Sequence, residues 1–311
     1  MAIEHACVRV VHKPWGSHDL RPWSPVDGSV DAVGELWFER TDRDAPLPSL
    51  LLKLLFTSEP LSIQVHPDDT FARAIGLRNG KSEAWYILAA RPGAQIGVGL
   101  THRITPQELH ASIRNGSIVD LLHWREVAAG DSIFIPAGTI HAIGAGIVLA
   151  EIQQNSDATF RLFDYGSQRQ LHEDNGVAVA NTGPLRGLSH PTRLTSARTI
   201  LVASRYFVLE QVDLPAASSW SLLAEPETWI LVLEGHAAVG LAAASVGQTI
   251  FVGGDRASIV VGADGLKALI AYPASRPVES LLQRLGEHSP DHDAPIASAL
   301  SQSPGFVEVR T

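Results

Sequence analysis

The sequence predicts a mainly β protein that consists of two jelly-roll barrels, with a small helical insertion in the first barrel. Short strand-like runs, such as Ile133–Ile135, end in turns rich in Gly and Pro, which is typical of double-sheet barrels. An internal repeat is the second observation. The segment GDSIFIPAGTIHAI, which starts at Gly130, aligns with GQTIFVGGDRASIV, which starts at Gly247. One strand pattern therefore occurs twice in the chain.

Helix-capping residues locate the predicted insertion. Asp68 or Asp69 is well placed to cap a short helix after the strand that precedes it. The segment Thr105–Glu108 reads TPQE, a capping box with proline at the first helical position. We therefore expect the helical insertion at about residues 67–80 and 103–122, where it closes one end of the sheet.

Two strands of the first repeat carry side chains of the kinds that bind metal ions. In LSIQVHPDD, apolar and polar residues alternate, so Gln64 and His66 lie on one face of a strand. In KSEAWYIL, the same alternation places Lys81 and Glu83 on a common face. These strands therefore present an amide, an imidazole and a carboxylate.

His141 adds a second imidazole. It follows Ile133–Ile135 and a turn that contains Pro136 and Gly138, so we expect two antiparallel strands joined by this turn, with His141 at a mouth. A lone histidine in such a place is more often a hydrogen-bonded core residue than a ligand. The complete set suits Zn²⁺, tolerates Mn²⁺, Fe²⁺ or Co²⁺, and leaves a position open for water or substrate. Its members are Gln64, His66, Glu83 and His141.

The second repeat keeps the strand pattern but loses the ligand set. His141 aligns with Ser258, and no counterpart of the QVH motif occurs near residues 219–224. Glu227 aligns with Glu83, but it stands alone, so we expect it to be a solvated or capping carboxylate. The second barrel should therefore bind no metal and serve the fold or an interface.

The repeat also sets the predicted domains. Trp85 aligns with Trp229, and Pro and Gly cluster between the two copies. We predict a metal-binding catalytic domain over residues 1–185, which includes the helical insertion, and a degenerate metal-free domain over residues 195–311.

Composition narrows the class of protein. A hydrophobic fraction of 45% with 18% charged residues is that of an ordinary globular chain. The net charge of −9 argues against nucleic-acid or anionic-membrane binding. The apolar runs are too short to span a membrane, the first residues show no secretory signal, and Cys7 is the single cysteine. We therefore expect a cytoplasmic protein that is a monomer or a homodimer.

Several segments together resemble one known family. LSIQVHPDD, KSEAWYIL, PAGTIHAIGAG and EIQQNSDATFRLFDYG, in this order, are similar to type I mannose-6-phosphate isomerase (phosphomannose isomerase) of the cupin superfamily. KPWG at Lys13 and GELW at Gly34 resemble the amino-terminal signatures of the same family, and the resemblance covers about residues 10–170. It implies cupin barrels and the interconversion of mannose 6-phosphate and fructose 6-phosphate.

The resemblance also implies roles for individual residues. It implies one divalent metal ion, with Zn²⁺ favoured, held by the ligands Gln64, His66, Glu83 and His141. It implies catalytic roles for Arg161, Lys81 and Glu151. It implies a substrate site for a small sugar phosphate that includes Lys53, Lys81 and Arg161.

An aldose–ketose isomerase moves a proton between C1 and C2 of the sugar and needs an electrophile at the sugar oxygens. A metal ion in this site would polarise the carbonyl group and stabilise the enediol(ate). The sequence leaves the proton carrier open, since Glu151, Lys81 and a metal-bound water are all candidates.

Two other functions compete with the isomerase. A metal oxygenase usually has a histidine-rich iron site, and Gln64 and the basic residues argue against it. A non-catalytic sugar-phosphate sensor is the other alternative, and the retained Lys81, Glu151 and Arg161 favour the enzyme over it.

Binding a dianionic substrate to an acidic protein requires locally placed cations. Lys53, Lys81 and Arg161 are the candidates, because each lies beside a motif with a predicted ligand. Lys53 interrupts the run LLKLLF, where a snorkelling side chain is the simpler interpretation, although a buried lysine needs a partner. The simpler interpretation of Arg161 is an ion pair with Asp157 or Asp164.

Overall fold

The computed structural model of the chain describes residues 2–167, 169–185, 190–225 and 227–286. Antiparallel β-sheets dominate these residues, so the prediction of a mainly β protein is confirmed. Among the same residues, no helix is long and apolar enough to cross a membrane.

The first half contains strands β1 to β12. They are β1 (Ala2–His5), β2 (Cys7–Ser17), β3 (Val33–Glu39), β4 (Leu50–Thr57), β5 (Ile63–Val65), β6 (Glu83–Ala90), β7 (Gln95–Leu100), β8 (Leu122–Glu126), β9 (Ser132–Ile135), β10 (His141–Ile143), β11 (Ile147–Gln154) and β12 (Phe160–Phe163). One sheet has the order β2-β3-β4-β11-β6-β9, and a second has the order β12-β5-β10-β7-β8. The two sheets face each other across a core that includes Leu55, Ile87, Val98 and Leu149.

The second half contains strands β13 to β21. They are β13 (Thr192–Arg193), β14 (Arg198–Ala203), β15 (Val208–Leu214), β16 (Ser219–Ala224), β17 (Thr228–Val239), β18 (Ala242–Ser245), β19 (Thr249–Gly253), β20 (Asp255–Tyr272) and β21 (Leu282–Leu285). A single-turn 3₁₀ helix, Glu279–Leu281, precedes β21. These strands form one sheet, which β1 joins by pairing with β19.

Every residue of β4 is buried because both faces of this strand are covered. Leu55 faces the five-stranded sheet, whereas Leu52 and Leu54 pack in a separate core with residues of the second half, including Leu209 and Leu231. The sequence LLLKLLFT has no clean alternation for this reason. It also explains why Lys53, on the inner face, is only 4% exposed.

Four helices accompany the first half: α1 (Asp69–Ala74), α2 (Pro106–Asn115), α3 (Ile118–Leu121) and α4 (Glu173–Val179). The first three lie in the predicted insertion. The Asp68 cap of α1 and the capping box at Thr105 are both present. The helices cover the outer face of the five-stranded sheet, where Leu109 and Ile113 pack against Ile63. The sequence did not predict α4.

The prediction of a hairpin before His141 is wrong. Strand β9 pairs with β6 in the six-stranded sheet, whereas β10 pairs with β5 and β7 in the opposite sheet. The turn at Pro136–Gly138 therefore leads the chain from the six-stranded sheet to the five-stranded sheet. As a result, His141 lies between the sheets and is fully buried.

The repeat is visible in strand pairing, but its register differs by one residue. Strand β17 pairs with β19 as β6 pairs with β9. Trp229 lies opposite Phe251, but Ala84, not Trp85, lies opposite Phe134. A shift of one residue moves a side chain to the other face. Trp229 accordingly packs between the two halves, whereas Trp85 lies in the inner core of the first half. The two-barrel arrangement and the domain limits at 185 and 195 stay predictions, and residues 287–311 lie outside the described residues.

Candidate metal centre and active site

Three neighbouring strands of the five-stranded sheet align Arg161, Gln64 and His141. Gln64 on β5 lies opposite His141 on β10 and opposite Arg161 on β12. Residues directly opposite each other in an antiparallel pair project to the same face, with Cβ atoms about 5 Å apart. All three side chains therefore leave the sheet on one side. His66, which follows β5 by one residue, shares that face with Gln64.

The six-stranded sheet supplies the facing row. Glu151 on β11 lies opposite Lys53 on β4 and Trp85 on β6, and Gln153 lies opposite Glu83. Strand alternation places Glu83 and Trp85 on a common face. The functional side chains predicted from separate motifs therefore converge between the two walls.

His66, Glu83 and His141 form the centre of this site. The Nε2 atom of His66 lies 3.3 Å from Glu83 Oε2, and Nε2 of His141 lies 3.4 Å from Glu83 Oε1. The candidate ligand atoms lie within 4.8 Å of one another, and all three residues are buried. This is the donor chemistry that Zn²⁺ and neighbouring divalent metals bind.

Backbone carbonyls fix the orientation of both imidazoles. The Nδ1 atom of His66 lies 2.8 Å from the carbonyl oxygen of Ala158, and Nδ1 of His141 lies 2.8 Å from that of Thr139. A carbonyl oxygen can only accept, so each Nδ1 carries the proton. Each Nε2 lone pair therefore points into the site, as in metal-binding histidines with a hydrogen-bonded outer nitrogen.

Electrostatics keep both imidazoles neutral. Burial, reinforced by the Lys81 ammonium, lowers the pKa of His66 to about 3. Burial also lowers the pKa of His141. A neutral imidazole is the form that binds a metal ion.

Glu83 is the buried group whose hydrogen bonding is least satisfied. Burial alone would raise the pKa of the Glu83 carboxyl, but Lys81 and His66 hold this pKa well below its usual range. The Lys81 ammonium lies 2.7 Å from Oε2, yet among the described residues neither oxygen receives a hydrogen bond of normal geometry. A buried carboxylate with free lone pairs, placed between two imidazole lone pairs, fits a divalent cation.

Gln64 lies beside this cluster in a hydrogen-bonded arrangement. Its Nε2 atom is 3.3 Å from Nε2 of His141, so the amide donates to the imidazole lone pair. The oxygen and nitrogen of an amide exchange places by a half-turn of the side chain. Such a turn would present the oxygen to the site.

A row of alternating charges extends from Glu83 towards β3. Lys81 lies 3.9 Å from Glu151 Oε1, and Lys53 lies 3.6 Å from the same oxygen. Lys53 also lies 3.7 Å from Glu35, which is 3.9 Å from Lys13. The row joins the centre to a side chain at the protein surface, because Lys13 is 36% exposed.

Charge neighbours set the protonation of the inner residues of this row. Burial and the Glu83 carboxylate raise the pKa of Glu151. Burial alone would lower the pKa of Lys81, but the Glu151 and Glu83 carboxylates raise this pKa. The indole nitrogen of Trp85 donates to Glu151 Oε2 at 3.1 Å, which fixes the carboxyl group in place. The site therefore contains a carboxyl group that binds a proton more readily than usual, next to an ammonium that retains its own.

Two residues of this row were missed by sequence reasoning. Trp37 donates its indole N–H to Glu35 Oε2 at 2.6 Å, and Lys53 lies over the Trp37 ring at 4.0 Å. The sequence did contain a pattern that could have identified them, because alternation in GELWFE places Glu35 and Trp37 on one face of the strand. The two residues explain how Lys53 is buried, since they give it a carboxylate and an aromatic face.

Arg161 is more open than either lysine, with 20% of its side chain exposed. It donates to the carbonyl oxygen of Gln170 at 2.8 Å and lies 3.8 Å from Asp164. Asp164 is bound more closely by Arg169, whose Nε donates to it at 2.7 Å. The Nε of Arg161 has no hydrogen-bond partner among the described residues. The ion pair with Asp164 exists, but it does not use the full donor capacity of this guanidinium.

The fold and site define a class: a β-sheet protein with a buried His–Glu–His centre beside a row of alternating charges. The chain is 36% identical over 197 residues to mannose-6-phosphate isomerase ManA of Bacillus subtilis, and 34% identical over 208 residues to mannose-6-phosphate isomerase of Streptococcus mutans. These alignments cover 60% and 62% of this chain, and 62% and 63% of those relatives, which is less than two thirds of their length.

A comparison of structures extends over more of the chain. The crystal structure of mannose 6-phosphate isomerase from Bacillus subtilis matches 87% of this chain and 99% of its own, with a TM-score of 0.75 and 25% identity. A putative mannosephosphate isomerase from Archaeoglobus fulgidus has the same fold, with a TM-score of 0.70. No protein-family model matches the chain. The resemblance to the type I mannose-6-phosphate isomerases that the motifs indicated is confirmed.

Proposed function

We propose that this protein is a metal-dependent aldose–ketose isomerase that interconverts mannose 6-phosphate and fructose 6-phosphate through an enediol(ate). The buried cluster of His66, Glu83 and His141 carries this proposal. Relatives named mannose-6-phosphate isomerase support the substrate. A cytoplasmic location and a monomer or homodimer stay predictions.

The proposed metal ligands are His66, Glu83 and His141, with the oxygen of Gln64 as the fourth. Support comes from the free lone pairs of Glu83 and from the two imidazole Nε2 atoms that face it. Zn²⁺ is the ion that we favour for this donor set. When bound, a divalent ion supplies Lewis acidity that polarises the sugar carbonyl and stabilises negative charge on its oxygen.

Glu151 is the residue that we propose for proton transfer, with Lys81 as a catalytic partner that stabilises charge. The reaction removes a proton from C2, delivers one to C1 and moves a hydroxyl proton between O1 and O2, so it needs a group that both accepts and donates. Glu151 suits this task because its pKa is raised towards neutral pH, so the carboxyl group gains and loses a proton more easily there. Lys81 retains its proton, holds Glu151 in place and is positioned to donate to a developing oxyanion.

Arg161 is the cation that we propose for the phosphate group. Lys53 and Lys81 are almost fully buried and are balanced by carboxylates, so little of their charge remains for a second anion. Arg161 is more exposed and keeps an unused donor. A guanidinium can bind phosphate through two parallel hydrogen bonds. Lys53 then acts on substrate mainly through Glu151.

We further propose the two-barrel arrangement with a metal-free second barrel. Similar pairing of β6 with β9 and of β17 with β19 supports a repeated unit. Within the described part of the chain, His66, Glu83 and His141 are the one group of three or more His, Cys, Asp or Glu side chains that lie close enough together to hold a metal ion. Glu227 was predicted to be a solvated or a capping carboxylate, and its hydrogen bonds from the backbone amides of Ser49 and Leu50 favour the capping role.

Isomerisation in deuterium oxide tests the reaction and its route together. We expect turnover of mannose 6-phosphate to fructose 6-phosphate, with solvent deuterium at C1 of the product. Turnover without deuterium after many cycles would contradict an enediol(ate), since a hydride shift retains the substrate hydrogen. Binding of mannose 6-phosphate without turnover by metal-loaded protein would favour the sensor.

A further inference from the structure

Segment 153–158 (QQNSDA), which comprises the end of β11 and most of the loop that leads to β12, contacts the site through its backbone. We propose that Ser156 is a positioning residue, which fixes the carbonyl group of Ala158 and thereby the orientation of His66 and the metal affinity of the centre. This inference rests on the metal centre proposed above. The argument concerns how the loop is held, since none of its side chains is among the proposed ligands.

The Ala158 carbonyl is the contact that the loop provides. Its oxygen accepts from Nδ1 of His66 at 2.8 Å, which selects the tautomer with a free Nε2. His66 is 1% exposed, so water does not readily replace this acceptor. The equivalent carbonyl for His141 comes from Thr139, two residues away in the same turn. His66 depends on a residue 92 positions away, and its orientation therefore requires a well-fixed loop.

Ser156 ties this loop at two points. Its hydroxyl oxygen accepts from the backbone N–H of Ala158 at 3.3 Å, and its hydroxyl donates to the carbonyl oxygen of Asn79 at 3.0 Å. Asn79 precedes the segment that carries Lys81 and Glu83. One hydroxyl group therefore links the backbone that orients His66 to the chain that leads into Glu83.

Gln153 holds the backbone of the same loop from inside. Its side-chain amide donates to the carbonyl oxygens of Ser156 and Gln154. Gln153 is fully buried and lies opposite Glu83 across the sheet. The loop is therefore fixed from the inner wall by Gln153 and from the outer side through Ser156.

The neighbouring side chains bind other segments and provide a comparison. Asn155 donates to the carbonyl oxygen of Pro48 at 2.8 Å. Gln154 accepts from the backbone N–H of Ser82 and donates to Asp69. Neither side chain has a hydrogen bond to the Ala158 backbone among the described contacts. If the loop served stability alone, loss of Asn155 and loss of Ser156 should have similar effects.

The experiment measures the dissociation constant of Zn²⁺ by competition with a chelator for four full-length proteins: wild type, Ser156→Ala, Ser156→Thr and Asn155→Ala. The melting temperature of each metal-free protein is measured in parallel. We expect Ser156→Ala to weaken Zn²⁺ binding about 10- to 100-fold, as for other changes in residues that orient metal ligands. Ser156→Thr keeps the hydroxyl and should restore affinity to within a few-fold of wild type. Asn155→Ala should bind Zn²⁺ normally.

Zn²⁺ affinity of Ser156→Ala within twofold of wild type would overturn the inference. Equal weakening by Asn155→Ala and Ser156→Ala would also overturn it, since the effect would then reflect general loosening of the loop. A lower metal-free melting temperature with unchanged Zn²⁺ affinity would assign Ser156 to the fold alone. Failure of the wild type to bind any divalent ion would instead reject the metal centre itself.

Discussion

Each half of the protein contains a fully buried glutamate, Glu83 in the first and Glu210 in the second, and the two are held in opposite ways. Glu210 in the second half receives hydrogen bonds from Nε and Nη2 of Arg198, each at 2.8 Å, and from the Tyr272 hydroxyl at 2.5 Å. Two further N–H groups of Arg198 donate to the carbonyl oxygens of Val278 and Glu279. Glu83 in the first half contacts one ammonium and two imidazole lone pairs, and it receives no hydrogen bond of normal geometry from the described residues.

This difference separates a structural polar cluster from a binding site. A buried ion pair is tolerated when its hydrogen bonds are satisfied within the protein, as those of Glu210 are. A buried carboxylate with free lone pairs costs free energy unless a ligand completes it. The second half therefore contains a closed network, and the first half contains an open one.

Removing an imidazole from the open centre should have the largest effect. We expect His141→Ala to reduce bound metal to well below one ion per chain and to lower kcat/KM at least about a hundredfold, because the charge stabilisation of the metal is lost. The fold should persist, since the second half forms similar strand pairs without these ligands. Elemental analysis and circular dichroism measure the two results. Full metal retention would reject His141 as a ligand.

Breaking the closed network should reduce stability and leave the chemistry intact. Glu210→Gln leaves the buried Arg198 charge without a counter-ion, which should cost about 3–5 kcal/mol in the free energy of unfolding. Urea denaturation measures this cost, and kcat/KM per folded molecule should not change. Glu234→Gln is the matched control, because its pair with Lys267 is exposed and should contribute less than about 1 kcal/mol. Loss of metal from Glu210→Gln would contradict the division between the two networks.

Arg161→Lys tests whether this guanidinium binds the phosphate group of the substrate. The change keeps the charge but loses the forked donor geometry. Losing one charge-assisted hydrogen bond to phosphate costs about 1.5–3 kcal/mol, so kcat/KM should fall about 10- to 100-fold with an unchanged melting temperature. Arg169→Lys is the control, because Arg169 binds Asp164. Activity that falls only in proportion to melting temperature would assign Arg161 to the structural pair with Asp164.

Replacement of Glu227, which aligns with Glu83 in the sequence, should have the smallest effect. Its two oxygens accept from the backbone N–H groups of Ser49 at 2.7 Å and Leu50 at 2.8 Å, so it joins the second half to the start of β4. Glu227→Ala should lower the free energy of unfolding by about 1–3 kcal/mol, because the partly buried amide of Leu50 and the exposed amide of Ser49 lose their acceptor. Metal content should equal that of the wild type. A loss of metal would mean that Glu227 has more in common with Glu83 than its contacts indicate.

Local patterns in the sequence predicted much of the site. Alternation placed Gln64 with His66 and identified the inner face of β6, because a strand period depends only on neighbouring residues. The capping box of α2 was predicted for the same reason. These features need no knowledge of distant parts of the chain.

Features that depend on distant contacts were missed. Trp85 and Trp229 align in the sequence, but the register of their strands differs by one residue, which only strand pairing reveals. The pairing of Lys53 with Glu35 and Glu151 joins three separate strands. The position of His141 depends on a chain crossing between two sheets, which resembles a tight hairpin in the sequence. Burial of both faces of β4 removed the alternation that would have marked its inner side.

The most direct test of the account is the turnover of mannose 6-phosphate by the wild-type protein in three states. They are the protein as purified, the protein after chelation and the protein after return of Zn²⁺, with metal content measured for each. The account predicts that activity falls in proportion to the metal removed and returns when about one ion per chain is restored. Full activity in protein stripped to far less than one ion per chain would contradict it.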